Sequence, residues 1–455
     1  MNKQYFGTDG IRGQVGDDLM NPDFCLKLGW SVGRVLSVNE RKPLVILGKD
    51  TRNSGSMLES ALEAGLSAAG VDVALLGVIP TPAVAYMTRT LRGDAGIVIS
   101  ASHNPFGDNG IKLFDSEGNK LSDRMEVLIE RQLKTALSFA SASNLGHVFR
   151  VDDARGRYIE FCKGTVDSGI RLDGLKVVVD CANGAAYAVA PRVYRELGAK
   201  VTGIAVDPDG SNINENCGST HPELLCEKVL ELRADVGIAL DGDGDRAIMV
   251  DSTGEIVDGD ELLYVIALSM YSRNQLSGGV VGTEMSNGGL ECAFEDLGIP
   301  FERSKVGDRH VVELLHQKGW LLGGESSGHI VCLDRATTGD GIISALQVLA
   351  AMVTQNRSLS DLKSGMSKIP QEMLNIALED PGGAVARPSV KSAIREVERL
   401  LGKDGRVLVR PSGTEPLLRV MVEGKNSIDV RRYAEMIGAA ARTSVEKPSG
   451  TLRSQ

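Results

Sequence analysis

Short runs of apolar residues alternate along the chain with longer segments in which apolar and polar residues are mixed. The short runs have the length and β-branched content of buried strands, and the longer segments have the apolar spacing of helices. The strands predicted in this way are 44–47, 71–76, 96–99, 176–180, 236–240 and 279–282, and the helices include 57–69, 82–91 and 290–297. Strands that alternate with helices predict parallel α/β units.

The alternation of strands and helices begins three times, at residues 44, 176 and 279. It therefore predicts three similar mixed α/β domains. The last part of the chain differs from them. Two strands of alternating polarity, 406–409 and 417–422, lie between helices predicted at 390–401 and 429–441. This arrangement is α+β and predicts a smaller, separate C-terminal domain.

Polar stretches that interrupt the pattern mark the expected domain boundaries. The first boundary follows the polar stretch 138–144, and the last lies near the segment 366–370, which ends in proline. We expect domains over residues 1–150, 151–253, 254–367 and 368–446, followed by a disordered tail over 447–455.

The bulk properties exclude several classes of protein. A formal net charge of −10 argues against general nucleic-acid binding, and no apolar run approaches the ~18 residues that a membrane span requires. The first residues lack the apolar core of a secretory signal. The seven cysteines form no Cys-x-x-Cys pair, which indicates reduced thiols rather than a disulfide framework or a zinc site. We therefore expect a cytoplasmic protein that binds neither nucleic acid nor membrane.

A serine follows one of the predicted strands at the point where the chain turns. Residues 100–105 read Ser-Ala-Ser-His-Asn-Pro and come directly after the strand 96–99. The hydroxyl of Ser102 is therefore expected on a loop at a strand end, where α/β folds gather their chemistry. Next to His103 it is either a nucleophile beside a base or part of a plain turn.

Three carboxylates alternate with glycines after the strand 236–240, where residues 241–246 read Asp-Gly-Asp-Gly-Asp-Arg. Asp241, Asp243 and Asp245 repel one another unless a cation lies among them, and the glycines let the backbone fold tightly enough for them to converge. The alternative is a solvated acidic turn. All-oxygen ligands favour a hard cation such as Mg²⁺.

An EF-hand does not account for the acidic stretch. The sixth loop position should be Gly and is Arg246, and the twelfth should be Glu and is Ser252. Few carboxylates and an open coordination position suit Mg²⁺ shared with a phosphate better than a closed Ca²⁺ site.

The loop between the two C-terminal strands offers groups that bind anions. It begins at Arg410 and reads Arg-Pro-Ser-Gly-Thr-Glu-Pro, which lacks the spacing of a Walker loop. Ser412, Gly413 and Thr414 supply two hydroxyls and a run of backbone N–H groups. Arg410 and Arg419 add fixed charge and planar donors for phosphate oxygens. The alternative is an ordinary hairpin turn.

A glycine-rich stretch, 323–329, reads Gly-Gly-Glu-Ser-Ser-Gly-His. Glu325 and Ser327 alternate, so in an extended chain they point to the same side and offer an acceptor and a hydroxyl to neighbouring sugar hydroxyls. His329 is a group that exchanges protons near neutral pH. The alternative is a glycine-rich loop with a hydrogen-bonded core histidine.

These four segments, in this order, resemble one family, the α-D-phosphohexomutases. The stretches 5–13, 109–114 and 419–424 are similar to the branch of that family that acts on glucosamine phosphate. The resemblance runs from residue 5 to roughly residue 445. Position 326 departs from the pattern: it is Ser, where the glucosamine branch usually has Gln and the glucose/mannose branch usually has Met.

The resemblance implies four domains around one cleft, on which all four loops converge. It implies a phosphosugar mutase that interconverts glucosamine 6-phosphate and glucosamine 1-phosphate through a phosphoserine enzyme. Glucosamine 1,6-bisphosphate is then the intermediate and activator, and the product is an amino-sugar precursor for cell-wall synthesis through UDP-N-acetylglucosamine. The same reaction on glucose or mannose phosphate is the alternative that position 326 leaves open.

The resemblance also implies a role for individual residues. The implied catalytic residues are Ser102, which carries the phosphoryl group, His103, Arg12, Lys112, Arg246 and His329. Of these, Lys112 and His329 are expected to move protons. The implied ligands of one Mg²⁺ are the Ser102 phosphate, Asp241, Asp243 and Asp245. The implied sugar- and phosphate-binding residues are Glu325, Ser327, Arg410, Ser412, Gly413, Thr414 and Arg419.

Two other classes of function stay open at this point. A hydrolase with Ser102 as nucleophile would transfer the phosphoryl group to water. A sugar-phosphate sensor built on the same scaffold would be expected to lose the serine or a carboxylate, and this chain has both. The expected partner is a small sugar phosphate, and the sequence leaves a homodimer open.

Overall fold

The computed structural model describes residues 3–7, 9–37, 41–411 and 417–442. Residues 412–416 of the expected phosphate loop and the expected disordered tail at 447–455 lie outside the described residues. The chain divides into two compact units. The first contains the residues up to 283 together with 294–366, and the second contains 284–293 together with the residues from 367 onwards.

The first sheet of the first unit has six strands, and four helices accompany it. The strands are β1 (Ile11–Gln14), β2 (Leu44–Lys49), β3 (Asp72–Val78), β4 (Ala95–Ile99), β5 (Asp108–Asp115) and β6 (Val148–Arg150). The helices are α1 (Pro22–Leu36), α2 (Ser54–Ala68), α3 (Thr81–Thr90) and α4 (Asp123–Leu133). The spatial order is β1-β5-β4-β2-β3-β6, in which β5 runs antiparallel to both of its neighbours.

The centre of this sheet is buried on both faces, which is why its strands are almost continuously apolar. Every residue of β4 is buried, and its neighbour β2 is buried over its four central residues. Trp30, Leu62 and Ile97 belong to one core that packs the helices α1 and α2 against the sheet. The strands predicted at 44–47 and 96–99 are confirmed.

A second sheet follows in the same unit, with the spatial order β11-β10-β9-β7-β8. Its strands are β7 (Lys176–Asp180), β8 (Lys200–Ile204), β9 (Val236–Leu240), β10 (Ala247–Asp251) and β11 (Ile256–Val257). The helices beside it are α5 (Ala154–Lys163), α6 (Ala190–Glu196) and α7 (Glu223–Leu232). Strand β9 runs parallel to β7 and antiparallel to β10, so the chain reverses between β9 and β10.

A third sheet has four strands, in the spatial order β13-β12-β14-β15. They are β12 (Val280–Thr283), β13 (Phe301–Ser304), β14 (Leu322–Gly324) and β15 (Ile330–Cys332). The helices are α8 (Gly259–Ser272), α9 (Gly288–Leu297), α10 (Asp308–Lys318), α11 (Gly341–Gln355) and α12 (Leu359–Lys363). Strands β14 and β15 form an antiparallel hairpin.

The second unit contains an antiparallel three-stranded sheet in the order β16-β18-β17. Its strands are β16 (Gln371–Ala377), β17 (Gly405–Pro411) and β18 (Leu417–Gly424), and its helices are α13 (Pro381–Ala386), α14 (Pro388–Leu401) and α15 (Ser427–Arg442). Ile376, Val397 and Ile437 belong to the core between the sheet and the helices. The α+β character predicted for this part of the chain is confirmed.

The seven cysteines are all unpaired, and five of them, including Cys332 on β15, are buried. Within the ranges that the structure describes, none of the helices combines the length and the apolar content that a membrane crossing requires.

Candidate active site

The serine loop begins where β4 ends and lies inside the first unit. Ser102 is buried and adopts a φ of 54°, in the left-handed region. Its Oγ donates to Oδ2 of Asp241 over 2.5 Å. The backbone N–H of Asn104 donates to the carbonyl of Ala101 over 3.1 Å and so closes the turn that the sequence predicts. A residue from the first sheet therefore contacts the acidic loop of the second sheet.

The acidic loop is the hairpin that connects β9 to β10. Leu240 and Ala247 face each other across the antiparallel pair, so residues 241–246 form the whole of the reversal. A tight reversal needs left-handed backbone, which Gly244 supplies with a φ of 74°. The carboxylates of Asp241, Asp243 and Asp245 are buried, and one oxygen of each lies within 4.8 Å of the others.

One lysine is shared by two of these carboxylates. Lys112 lies on β5, and its Nζ is 2.6 Å from Oδ2 of Asp243 and 3.2 Å from Oδ2 of Asp245. Burial opposes the charge of Lys112, but the two carboxylates outweigh it and raise the pKa of the ammonium well above its usual range. Thr81, the first residue of α3, also donates to Oδ2 of Asp243, over 2.5 Å.

The free oxygens of the cluster fit a divalent cation. Oδ1 of Asp243 and Oδ1 of Asp245 are buried without a hydrogen-bond partner, which is costly for a carboxylate unless a cation binds there. Burial, together with the charges of Asp245 and Asp243, raises the pKa of Asp241 well above its usual range. Lys112 therefore balances only part of the charge. Three carboxylates of this kind match the oxygen ligands that Mg²⁺ prefers.

Two arginines beside the cluster carry unused donors. Arg246 Nε lies 3.8 Å from Oδ1 of Asp245, and Arg12 Nη2 lies 3.3 Å from Oδ2 of Asp9. The Nε atoms of Arg246 and Arg12 are both buried without a hydrogen-bond partner. Burial opposes the charge of Arg246, but the carboxylates of Asp245 and Asp241 raise its pKa further. Buried N–H donors on permanent cations are suited to an anionic ligand.

His329 lies between two carboxylates. Its Nδ1 is 3.6 Å from Oδ1 of Asp245, and its Nε2 is 3.5 Å from Oδ2 of Asp308. Burial lowers the pKa of His329, but Asp245, Asp308 and Glu325 outweigh burial and raise it to about 9. The imidazole is therefore in its acid form at neutral pH in this structure.

His103 has the opposite electrostatic environment. Burial and the nearby charges of Arg246 and Arg12 lower the pKa of His103 to about 4, so the ring is neutral at neutral pH. Its Nδ1 lies 3.4 Å from Oγ of Ser102, which is longer than the 2.5 Å contact between that hydroxyl and Asp241.

The glycine-rich loop is the turn of the β14–β15 hairpin. The N–H of Gly328 donates to the carbonyl of Glu325 over 3.0 Å, which closes the turn. The interpretation of Glu325 and Ser327 as alternating positions of an extended chain was therefore wrong, because this hydrogen bond folds the segment back. Oε1 of Glu325 instead accepts from the N–H of Gly307 over 3.0 Å.

This hairpin turn is attached directly to the acidic hairpin. The N–H of Ala247 donates to the carbonyl of Gly328 over 3.1 Å. Gly328 has a φ of 88°, and a Cβ at this position would overlap the backbone of Ala247. The close approach therefore requires glycine, and it brings His329 to Asp245.

Several residues of the site were not found from the sequence. Lys120 Nζ contacts Oδ2 of Asp308 at 2.6 Å and Oδ1 of Asp9 at 2.9 Å, and so connects the first sheet to the start of α10. Thr81 supports Asp243 from α3. None of these residues carries a recognisable local pattern, except Asp9, which lies within the stretch 5–13 that contributed to the resemblance.

The expected phosphate holder lies in the second unit. Arg410 on β17 and Arg419 on β18 are direct cross-strand partners. Ser412, Gly413 and Thr414, the other residues expected there, lie outside the described residues. The structure thus brings together the serine, acidic and glycine-rich loops within the first unit, and pairs the two arginines within the second.

Four family models match successive parts of the chain. They are described as the α/β/α domains I, II and III of phosphoglucomutase/phosphomannomutase, at residues 3–139, 156–254 and 258–369, and as its C-terminal domain, at residues 373–440.

Curated relatives match over nearly the full length. A phosphoglucosamine mutase of Legionella pneumophila (strain Lens) is 60% identical over 435 residues, which cover 96% of this chain and 95% of the relative. A phosphoglucosamine mutase of Thioalkalivibrio sulfidiphilus (strain HL-EbGR7) is 59% identical over 449 residues, with 97% and 99% coverage.

Solved structures share the fold. A phosphoglucomutase/phosphomannomutase family protein from Burkholderia thailandensis is 27% identical, with a TM-score of 0.81 and coverage of 97% of this chain and 98% of that one. An Aspergillus fumigatus N-acetylphosphoglucosamine mutase, solved with GlcNAc-6P and magnesium, has a TM-score of 0.68 at 16% identity, with 97% and 96% coverage. At that identity the second likeness concerns the fold alone.

Proposed function

Because this chain belongs to the phosphoglucomutase/phosphomannomutase family, as the four motifs indicated, and is a phosphosugar mutase, we propose that it interconverts glucosamine 6-phosphate and glucosamine 1-phosphate through Ser102. The observation that carries the proposal is the contact of the Ser102 hydroxyl with a buried cluster of three carboxylates. The phosphoglucosamine mutases at about 60% identity support the choice of sugar.

Ser102 carries the phosphoryl group in this scheme. Phosphorylated Ser102 transfers the group to a free hydroxyl of the sugar monophosphate, so the bond from Oγ to phosphorus breaks and a bond from the sugar oxygen forms. The proton of the sugar hydroxyl leaves to a base. The resulting 1,6-bisphosphate turns over and returns its other phosphoryl group to Ser102. Serine suits this task, because its phosphate ester persists until the charge on the transferring group is stabilised.

The residues around Ser102 stabilise that charge. Asp241, Asp243 and Asp245, with the serine phosphate, would hold Mg²⁺, which supplies charge neutralisation to the transferring group. The buried Oδ1 atoms of Asp243 and Asp245, which have no hydrogen-bond partner, support this assignment. The buried Nε donors of Arg12 and Arg246 are the groups of this chain that bind the phosphoryl oxygens.

Proton transfer is the role of Lys112 and His329. The carboxylates around them raise the pKa of both groups, that of His329 to about 9. A higher pKa makes a weaker acid, so His329 is the better donor to a departing oxygen. The member of this pair that has lost its own proton is the base for the attacking hydroxyl.

The sugar is held by features that its two orientations share. Gly307 fixes one carboxylate oxygen of Glu325, so this side chain is oriented before the ligand binds. Glu325 and Ser327 then contact the polar substituents of the hexose ring. The phosphoglucosamine mutases at about 60% identity support a sugar phosphate as the ligand.

The phosphate that does not react is bound by Arg410 and Arg419. The two residues are in direct register on adjacent strands. Their guanidinium groups offer permanent charge and planar N–H donors that suit the oxygens of a phosphate. Ser412, Gly413 and Thr414 complete the holder in this proposal.

We expect Arg410→Ala to weaken binding of both sugar phosphates. The substitution removes a charge-assisted contact worth ~1.5–3 kcal/mol, which is roughly a 10- to 150-fold loss of affinity. The measurement is KM and Kd for the 1-phosphate and for the 6-phosphate. Arg399→Ala, which removes an exposed arginine of the same unit paired with Glu396, is the control and leaves both values unchanged. A loss confined to one isomer contradicts a shared holder.

The sugar preference tests the proposed function directly. We expect kcat/KM for glucosamine 6-phosphate to exceed that for glucose 6-phosphate and mannose 6-phosphate. Glu325 favours the charged amino group over a hydroxyl, and a charged hydrogen bond exceeds a neutral one by ~1 kcal/mol, about five-fold. The measurement is a coupled assay with the three sugars, primed with the corresponding 1,6-bisphosphate.

Ser326→Gln and Ser326→Met show whether position 326 sets the preference. Equal or faster turnover of glucose phosphate by the wild type places the chain in the glucose/mannose branch instead.

Release of inorganic phosphate at the rate of substrate loss identifies a hydrolase. With glucosamine 1-phosphate as product, the protein supplies an amino-sugar precursor for UDP-N-acetylglucosamine and the cell wall.

A further inference from the structure

The serine loop is held from behind by an arginine that belongs to none of the four segments. Arg52 is buried, and its Nη2 donates to the carbonyl oxygens of Ser102, over 3.0 Å, and of Asn104, over 2.8 Å. Its Nη1 donates to the carbonyl of Pro105. The planar guanidinium group of Arg52 therefore donates to three carbonyls of the same loop. Its fixed fork of N–H donors suits this geometry, which a lysine cannot reproduce.

A second side chain reaches the same carbonyls from the other sheet. Nδ2 of Asn214 donates over 2.9 Å to the carbonyl of Ser102 and over 2.9 Å to that of Asn104. Gly242 of the acidic hairpin lies against the Ser102 carbonyl, where a Cβ would overlap it. The peptide that follows Ser102 is thus fixed to the element that carries the three carboxylates.

The arginine is itself anchored inside the protein. Arg52 Nε and Asp50 Oδ2 are 2.9 Å apart, and both side chains are fully buried. Ser100 Oγ donates to the same oxygen of Asp50, over 2.5 Å, and accepts the backbone N–H of Ser102, over 2.9 Å. The N–H of Ser102 is thus linked through Ser100 to Asp50, and the carbonyl of Ser102 is linked to Arg52. The peptide groups on both sides of Ser102 therefore connect to one buried ion pair.

The conformation of Ser102 explains why such support is needed. A serine with a φ of 54° is in a strained region of the backbone map, and such strain persists only when the surroundings determine the conformation. In this conformation the carbonyl points to Arg52 and Asn214, while Oγ points to Asp241. If the carbonyl is released, the loop can relax to negative φ and carry Oγ away from the carboxylates.

We propose that Arg52 and Asn214 are positioning residues that form a carbonyl clamp, which holds the phosphoryl-carrying serine at the distance and angle required for transfer. The clamp contacts only the backbone of the serine loop, so it acts on the rate of phosphoryl transfer and not on the binding of the sugar. The inference rests on the proposed function of Ser102 as phosphoryl carrier.

The test removes one arm of the clamp without disturbing the backbone. Asn214 has a φ of 59°, so Asn214→Gly keeps its conformation and deletes only the donor. We expect kcat, and the single-turnover rate of transfer from phosphorylated enzyme to sugar phosphate, to fall about 10- to 100-fold, the size expected from misplacing a reacting group by about 1 Å. KM and the melting temperature stay near the wild-type values.

Matched controls separate positioning from loop flexibility. Asn216 is exposed and has a φ of 52°, so Asn216→Gly makes the same substitution at an exposed position two residues away. Arg52→Lys tests the other side chain of the clamp. Its control is Thr51→Val, since Thr51 donates to the carbonyl of Asn183 and not to the serine loop. Both controls keep the wild-type kcat, and Arg52→Lys loses kcat like Asn214→Gly.

Each outcome decides the question. Wild-type kcat in Asn214→Gly, or an equal loss in Asn216→Gly, overturns the clamp. A rise in KM without a loss of kcat overturns it as well. Turnover retained by Ser102→Ala overturns the phosphoserine mechanism first, and the clamp with it. An inactive Ser102→Ala beside a fully active Asn214→Gly overturns the clamp alone.

Discussion

We expect Ser102→Ala to fold normally and to lose mutase turnover by about 10⁴-fold or more, as occurs when a covalent nucleophile is removed. Ser102 is the hydroxyl that contacts the carboxylate cluster, at 2.5 Å from Asp241. Without its oxygen the chain has no acceptor at this position, so neither half of the reaction can proceed. The measurements are turnover in the coupled assay and the intact mass of the protein, which should show a phosphoryl group on wild-type chains and none on the variant.

Ser100→Ala is the matched control for this prediction. Ser100 lies two residues earlier in the same loop and donates to Asp50, so its loss weakens the loop but leaves the phosphoryl carrier. We expect Ser100→Ala to keep its phosphoryl group and part of its turnover. Wild-type turnover in Ser102→Ala, or phosphorylation that maps to Ser100, contradicts the assignment.

The second large effect concerns the cation. We expect chelation of divalent cations to abolish turnover and Mg²⁺ to restore it, because two buried oxygens of the cluster, Oδ1 of Asp243 and Oδ1 of Asp245, have no hydrogen-bond partner and are suited to a hard cation. Asp243→Asn removes one negative charge and replaces one carboxylate oxygen with an amide nitrogen, and should weaken Mg²⁺ binding about 10- to 100-fold. Calorimetric titration of the phosphorylated enzyme with Mg²⁺ measures this directly.

Asp251→Asn provides the comparison. Asp251 is a buried carboxylate at the end of β10, but it pairs with Lys363 at 3.1 Å and lies outside the cluster. Its substitution should leave Mg²⁺ affinity unchanged, even where it lowers the melting temperature. Equal Mg²⁺ affinity in Asp243→Asn and the wild type would count against the magnesium site.

The local features of this protein could be predicted from its sequence, because each depends on residues close together in the chain. The apolar runs identified the strands 96–99 and 236–240, which the structure has as β4 and β9. The residues that follow each run identified the serine and acidic loops. The strand predictions succeeded because strand burial is a local property of the pattern, while the chemistry of the two loops stays a prediction.

One local prediction was wrong for a tertiary reason. Glu325 and Ser327 were expected on one side of an extended chain, yet they lie in the turn of a hairpin. The sequence has strand-like residues on both sides of the turn, and the antiparallel pairing of Gly324 with Ile330 decides that the chain reverses between them. The glycines and serines of the segment permit a turn, as the alternative of a glycine-rich loop allowed, and the strand pairing selects it.

The sequence by itself determined the fold class and the family, and it located the serine, acidic and glycine-rich loops. Only the tertiary structure decided which side chains from elsewhere support those loops. Arg52 and Asn214 donate to the carbonyl of Ser102 from 50 and 112 residues away in the sequence. Lys120 contacts Asp308, which is 188 residues away. Such contacts depend on strand order and on the packing of one sheet against another, and a pattern along the chain carries no information about either.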